Sequence, residues 1–193
     1  MQTQSQNTQN SFVPPSTSQE NNANVRQAFS MSLRAQELAE ECITRKSLLI
    51  SLSRNKCFSD AIMLLSYAMP EKKGLQWVIN CFKLFELDKN NDSDAMEAAQ
   101  SWLNNPNQIN RANVMPKQTV FKPTAITWLS MATYWAGGGI NDTSIYEPAP
   151  VGLVNDSLYS ALMLSIQEQN VFDNDQAFNQ AIEKGIELLY SEM

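Results

Sequence analysis

The chain has 193 residues, of which 43% are hydrophobic and 18% are charged, and it contains no histidine. This length and apolar content are typical of one domain with a sizeable core. The lack of histidine excludes Ser-His-Asp and Cys-His catalysis and His-ligated zinc, and it removes the commonest general base near neutral pH.

The net charge of −6 is unevenly distributed along the chain. Residues 155–193 contain seven acids and one base, so the first 154 residues contain 13 of each and are neutral. An acidic C-terminal region repels nucleic acid and anionic lipid, so we expect neither as a partner. The acids form a solvated face that aids solubility, or Glu183 and Glu187 belong to a surface that binds a basic protein.

Cysteine usage and hydropathy favour a cytoplasmic location. Cys42, Cys57 and Cys81 are widely spaced within apolar helical patterns, where free cysteine behaves as a small hydrophobe. We find no signal peptide and no run of 18 apolar residues, so we expect no membrane insertion.

We also expect no metal and no cofactor. The loop from Asp88 to Asp94 resembles a calcium loop at its first ligand positions, but Ser93 replaces the turn glycine and Ala99 replaces the bidentate acid. The glycine triplet 137–139 follows a predicted helix, whereas phosphate prefers the N-terminal end of a helix.

The N-terminal residues of the chain are mostly polar. Of the first 24 residues, 17 are Asn, Gln, Ser or Thr, which predicts disorder. We therefore divide the chain into a disordered tail, 1–28, and a single helical domain, 29–193.

The first half of the domain predicts four helices. Ser30 or Ser32 caps the first, and a short second helix covers 47–52. The stretch 58–85 forms two helices that meet at Pro70, which we place at the first position of the second helix. Gly74 lies inside that helix and suggests close packing of another backbone.

The second half continues the helical pattern. A helix begins at Ser93 or Asp94, and a polar stretch to Gln118 is compatible with a short helix. A further helix covers 124–136 and is ended by the glycine triplet 137–139, since glycine supplies the left-handed cap conformation. Asn155 or Asp156 caps a central helix, and Asp173 or Asp175 caps the last one. The predicted fold is all-α, a single compact orthogonal bundle of about seven to eight helices.

Two regions invite a functional interpretation. The irregular connection 140–154 carries Ile140, Ile145, Tyr146 and Pro148, which either contact a partner protein or pack back over the bundle, and packing back is the simpler interpretation. The basic cluster is expected to be neutralised by the acidic C-terminal region rather than to bind nucleic acid; it comprises Arg45, Lys46, Arg54 and Lys56.

Several motifs together carry a resemblance to a known family. They are Asp60-Ala-Ile, Ala68-Met-Pro70 and Trp77, then Ala98-Ala-Gln-Ser-Trp102, Pro106 and Arg111, then Pro123, Ala132, Trp135 and Gly137-Gly-Gly, and finally Glu147-Pro-Ala-Pro150 with the helix after it. Over residues 33–190 the chain resembles a bacterial domain-of-unknown-function family of small helical accessory proteins. It departs from that pattern at Lys72-Lys-Gly74, where such proteins usually have Arg-Glu-Ala.

The resemblance implies an adaptor or chaperone-like role, since some members are associated with secretion systems. We expect a non-catalytic protein that binds another protein in a multi-protein complex, such as a type IV or type VI secretion system or its cargo. Two alternatives remain open. One is a small-molecule binder or enzyme whose pocket is lined by the four tryptophans, although core packing is the commoner role of such residues. The other is an immunity protein that neutralises a basic toxin.

Overall fold

A computed structural model describes residues 29–87, 93–114, 123–137, 149–168 and 174–191. Nine α-helices and no strand occur in these ranges. The helices are α1 (Leu33–Glu41), α2 (Arg45–Arg54), α3 (Phe58–Ala68), α4 (Glu71–Leu84), α5 (Ser93–Asn104), α6 (Gln108–Val114), α7 (Ala125–Ala136), α8 (Leu153–Glu168) and α9 (Asn174–Tyr190). The all-α prediction is confirmed, with more helices than the seven to eight expected. The predicted tail, 1–28, lies outside the described residues.

Polar side chains set the beginnings of α1 and α2. The Ser32 hydroxyl accepts a hydrogen bond from the Ala35 amide at 3.2 Å, which is the predicted cap of α1. The Asp60 carboxylate in turn accepts hydrogen bonds from the Ser32 amide at 2.8 Å and the Ser32 hydroxyl at 2.9 Å. Thr44 and Ser47 form a capping box, so α2 begins at Arg45, two residues before the predicted start.

Pro70 separates α3 from α4, as the sequence predicts. Met69 is extended, with φ −88° and ψ 141°, and Pro70 is the N-cap of α4 rather than its first helical residue. The ring removes an N–H group that would have no acceptor at this helix end. Helices α3 and α4 contact each other less than each contacts α8 and α9, so they form two walls of one core.

Helix α8 is the central helix of the bundle, as its almost uniformly apolar sequence predicts. It packs on α3, α4, α7 and α9, and Leu158, Leu162 and Ile166 are fully buried. It begins at Leu153, so the prediction that Asn155 or Asp156 caps it is wrong. Both residues lie in the first turn and bond to α3 instead: the Asn155 amide donates to the Ser66 carbonyl at 2.6 Å.

Gly74 and Gly137 both lie at contacts between helices, and the structure gives each a different role from the one predicted. A Cβ added at Gly74 would lie 2.6 Å from the Leu158 Cδ1 atom, so the close neighbour is a side chain, not a backbone. Gly137 has φ −75°, which is right-handed, so it does not supply the left-handed cap predicted for the triplet 137–139; the other two glycines of the triplet lie outside the described residues. A Cβ at Gly137 would lie 2.5 Å from Arg111 Cδ, which explains why a side chain does not fit there.

Candidate protein-binding surface

The six residues predicted to bind a protein fall into two groups. Ile140, Ile145, Tyr146 and Pro148 all lie in 138–148, outside the described residues. Glu183 and Glu187 lie one turn apart on α9, and both are exposed to solvent. The structure therefore brings only these two predicted residues together.

The acidic face of α9 is partly neutralised by lysines. Lys184 Nζ lies 2.8 Å from Glu187 Oε2, and Lys56 Nζ lies 2.6 Å from Asp175 Oδ2. The hydrogen bond from Lys184 to Glu187, followed by the charge of Glu187, raises the pKa of Lys184. Since Lys184 stands between Glu183 and Glu187, this part of α9 carries a net charge of only about −1, which weakens its attraction for a basic partner.

The predicted neutralisation of the basic cluster holds for one residue in four. Lys56 pairs with Asp175, but Arg45, Lys46 and Arg54 make no ion pair within the part of the chain that the structure describes. Lys46 Nζ stands 5.5 Å above the centroid of the Tyr190 ring, an interaction with an aromatic face. Arg45 Nε is buried and has no hydrogen-bond acceptor among the described residues. Three cations on one helix thus lack a carboxylate partner.

Two of these cations alternate with exposed isoleucines along α2. Ile43 precedes the N-cap and is 90% exposed, and Ile50 is 37% exposed. Lys46, Ile50 and Arg54 follow at four-residue intervals, so they line one side of the helix, and both cations are exposed. The opposite side buries Leu48, Leu49 and Leu52 in the core. We call the exposed side formed by Lys46, Ile50 and Arg54, together with the exposed Ile43 just before the N-cap, the α2 face.

The four tryptophans contribute to the core or to its margin. Trp77 and Trp102 are buried, while Trp128 and Trp135 are half-buried and pack against the core. A cavity of about 330 Å³ lies beside α1, and its lining contains no tryptophan. It is lined by Phe29, Ser30, Met31, Gln36, Ala39 and Glu40.

Burial changes the chemistry of two thiols. It raises the pKa of Cys81 to about 12, and burial together with the charge of Asp60 raises that of Cys57. Both shifts disfavour the thiolate, which is the reactive form of cysteine. Among the described residues, no three cysteine or acidic side chains converge in a way that could hold a metal ion.

Sequence reasoning identified the basic cluster but missed the α2 face. The signal was the four-residue spacing of Lys46, Ile50 and Arg54. It was hidden because the helix was predicted to begin at Ser47, which left Lys46 outside it. The capping box of Thr44 and Ser47 shows that the helix begins at Arg45. With that beginning, Lys46, Ile50 and Arg54 fall on one side of the same helix.

The described ranges thus form a small all-helical protein with an exposed basic and apolar helix face. No helix within them is long and apolar enough to cross a membrane. The chain belongs to a family of unknown function (DUF6931), whose model matches residues 48–189. The match begins inside α2, so it includes Ile50 and Arg54 but neither Ile43 nor Lys46. No curated protein and no solved structure shows a significant similarity to the chain.

Proposed function

We propose that this protein is a non-catalytic adaptor or chaperone-like accessory protein that binds another protein through its α2 face. The observation that carries the proposal is the position of Ile50 between Lys46 and Arg54 on the exposed side of one helix, with the exposed Ile43 just before the N-cap. Exposed apolar side chains rimmed by polar ones occur at protein interaction sites. Arginine is also enriched at the centres of protein interfaces.

The attachment of α2 to the bundle suits a recognition surface. Its inner leucines are fully buried, the Ser53 hydroxyl bonds Asn179 of α9 at 2.6 Å, and Lys56 bonds Asp175 of the same helix. These contacts hold the helix at both its core side and its C-terminal end. A partner therefore meets a surface that needs little reordering, which favours binding.

The proposed setting is the bacterial cytoplasm, in a complex that belongs to a secretion system or to its cargo. Its support is the likeness of the Ala-Met-Pro, Trp and Gly-Gly-Gly motifs to accessory proteins of that kind. Family membership itself carries no activity, since the function of the family is unknown.

The proposal is tested by affinity purification from the native cell, with quantitative mass spectrometry of the recovered proteins. The full chain is compared with a variant that combines Ile43→Ser and Ile50→Ser. We expect one protein at near-stoichiometric amount with the native chain, and a loss of about tenfold or more with the variant, because the apolar contacts are removed.

A matched control is Ile109→Ser, which changes an isoleucine of α6 that is 75% exposed. Recovery of the partner should be unchanged by it. The proposal is overturned if no protein is recovered at near-stoichiometric amount, or if Ile109→Ser lowers recovery as much as the change in the α2 face.

A further inference from the structure

We infer that the segment that binds the α2 face is an acidic amphipathic helix, with carboxylates that flank an apolar side chain at four-residue intervals. This inference rests on the proposed function, because it names the chemistry of the partner at the same surface. It follows from the exposed positions of Lys46, Ile50 and Arg54, and from the lack of an ion pair to either cation among the described residues.

The spacing of the α2 face determines the spacing of its complement. Lys46 and Arg54 are eight residues apart, which at roughly 1.5 Å per residue places them about 12 Å apart along the helix axis. Ile50 lies midway between them. A second helix with the pattern Glu-x-x-x-Leu-x-x-x-Glu presents two carboxylates at the same separation and one apolar side chain between them.

The cations are available for such a partner. Neither Lys46 nor Arg54 has a carboxylate within reach among the described residues, in contrast to Lys56, which is held by Asp175. The exposed guanidinium of Arg54 suits paired hydrogen bonds to a carboxylate. Opposite charge on the partner therefore compensates two cations that have no ion pair among the described residues.

The surroundings of α2 favour a short segment over an extended polyanion or a membrane. Helix α1 packs beside α2 and exposes Glu37, Glu40 and Glu41, of which Glu37 is paired with Arg34 at 2.9 Å. A flat anionic bilayer or a nucleic acid that approached α2 would also meet these carboxylates and the net charge of −6. A single short helix carries far less negative charge than either, so these acids and the net charge oppose it less.

The test is fluorescence anisotropy of the full chain with two labelled synthetic peptides. One repeats the Glu-x-x-x-Leu-x-x-x-Glu pattern on an alanine-rich helix, and the other replaces every Glu with Lys. We expect the acidic peptide to bind at least about tenfold more tightly than the basic one, and to weaken as NaCl rises from 50 to 500 mM.

Variants then locate the binding. Lys46→Glu with Arg54→Glu should weaken the acidic peptide by about tenfold or more, while Lys72→Glu, the same charge change at an exposed lysine of α4, should not. Circular dichroism melting verifies that each variant folds. If the reversed variant does not fold, Lys46→Gln with Arg54→Gln replaces it and should still weaken binding severalfold.

The inference is overturned if both peptides bind alike, if neither binds, or if charge reversal leaves binding unchanged. It is also overturned if the chain binds vesicles containing phosphatidylglycerol but not the acidic peptide. Self-association of the chain through the α2 face, without binding of the peptide, would overturn it as well. A native partner lost with Ile43→Ser and Ile50→Ser, together with no binding of the acidic peptide, would refute the inference alone. Failure of both experiments would refute the proposed function as well.

Discussion

The indole nitrogen of Trp77 donates a hydrogen bond to the backbone carbonyl oxygen of Ala181 at 2.8 Å, inside the core. The ring fits there because residue 185, one turn further along α9, is glycine. A Cβ at Gly185 would lie 2.7 Å from Leu65 Cδ1, the end of a flexible side chain, and also 2.9 Å from Cε2 and 3.0 Å from Nε1 of the rigid Trp77 ring. This contact fastens α4 to α9, the helix to which α2 is also attached.

Alanine at position 185 should therefore destabilise the protein. The rigid indole cannot move without losing its hydrogen bond, so the overpacking outweighs the gain in helix propensity, and we expect Gly185→Ala to lower the free energy of unfolding by about 1–2 kcal/mol. Urea unfolding followed by tryptophan fluorescence measures the change. The matched control is Gly74→Ala, where the nearest atom is the flexible end of Leu158.

At Gly74 the gain in helix propensity, roughly 1 kcal/mol, opposes the cost of moving Leu158. We expect Gly74→Ala to remain within about 1 kcal/mol of the native chain. Equal costs at positions 74 and 185 would contradict the role assigned to the Trp77 ring.

Arg111 and Gly137 form a second interlocked pair. Arg111 Nε donates to the Tyr134 carbonyl at 2.9 Å, and its guanidinium carbon lies 4.2 Å from the Tyr134 ring centroid. Loss of this buried charged donor and of the ring contact predicts that Arg111→Met costs about 2–4 kcal/mol. Because Cγ and Cδ of Arg111 occupy the space beside Gly137, Gly137→Ala should cost less in an Arg111→Ala background, which lacks both atoms, than in the native chain. A double-mutant cycle by urea unfolding measures this coupling, and strictly additive costs would contradict it.

Lys56 ends α2 in the left-handed region, with φ 58°, where glycine is preferred. Its ion pair with Asp175 is exposed and contributes about 0–1 kcal/mol, whereas the left-handed backbone costs a non-glycine residue roughly 1–2 kcal/mol. We therefore expect Lys56→Gly to raise the free energy of unfolding by about 1 kcal/mol. Lys56→Ala keeps the backbone strain and loses the ion pair, so this variant should be less stable than Lys56→Gly in thermal melts. A Lys56→Ala variant more stable than Lys56→Gly would contradict this explanation.

The buried thiol of Cys81 predicts a pH dependence. Burial raises the pKa of Cys81 in the folded protein from the ordinary 9 to about 12, so the folded state holds this proton more tightly than the unfolded chain. The resulting stabilisation is fully present below pH 9 and is lost as the pH rises towards 12. Between pH 8 and pH 10.5 the native chain should lose roughly 2 kcal/mol more than Cys81→Ala, which lacks the titrating group. Equal losses in urea titrations at the two pH values would contradict the assignment.

The same burial predicts the order in which the thiols react. Cys81 is fully buried, whereas Cys42 and Cys57 are partly exposed. Iodoacetamide should therefore modify Cys42 and Cys57 in the native protein, and Cys81 only after unfolding. Peptide mass spectrometry measures each site, and rapid native labelling of Cys81 would contradict its placement.

Much of the fold was predictable from local sequence patterns. Particular residues show where such prediction fails. The apolar surface of 158–166 predicts a central helix, and Ser32 and Pro70 predict helix boundaries to within a residue. Asn155 and Asp156 are good caps by type, but they bond to α3 instead, because α8 begins earlier and presents them to Ser66 and Tyr67. That choice depends on which helix packs nearby, which local pattern does not encode.

The candidate surface shows a similar limit. The basic residues were visible in the sequence, but whether a cation has a partner depends on tertiary distances. Lys56 meets Asp175, which is 119 residues away, whereas Lys46 and Arg54 meet no acid among the described residues. The folded structure is therefore needed to distinguish Lys56, which has an ion pair, from the cations of the α2 face.

The claim that the α2 face binds a partner is tested most directly by photo-crosslinking in the native cell. A benzophenone amino acid replaces Ile50 in one variant and Ile109, an exposed isoleucine of α6, in another. We predict that illumination joins the first variant to one protein in high yield and joins the second to none. An adduct from position 109 alone, or none from position 50 while the variant is folded, would contradict the account.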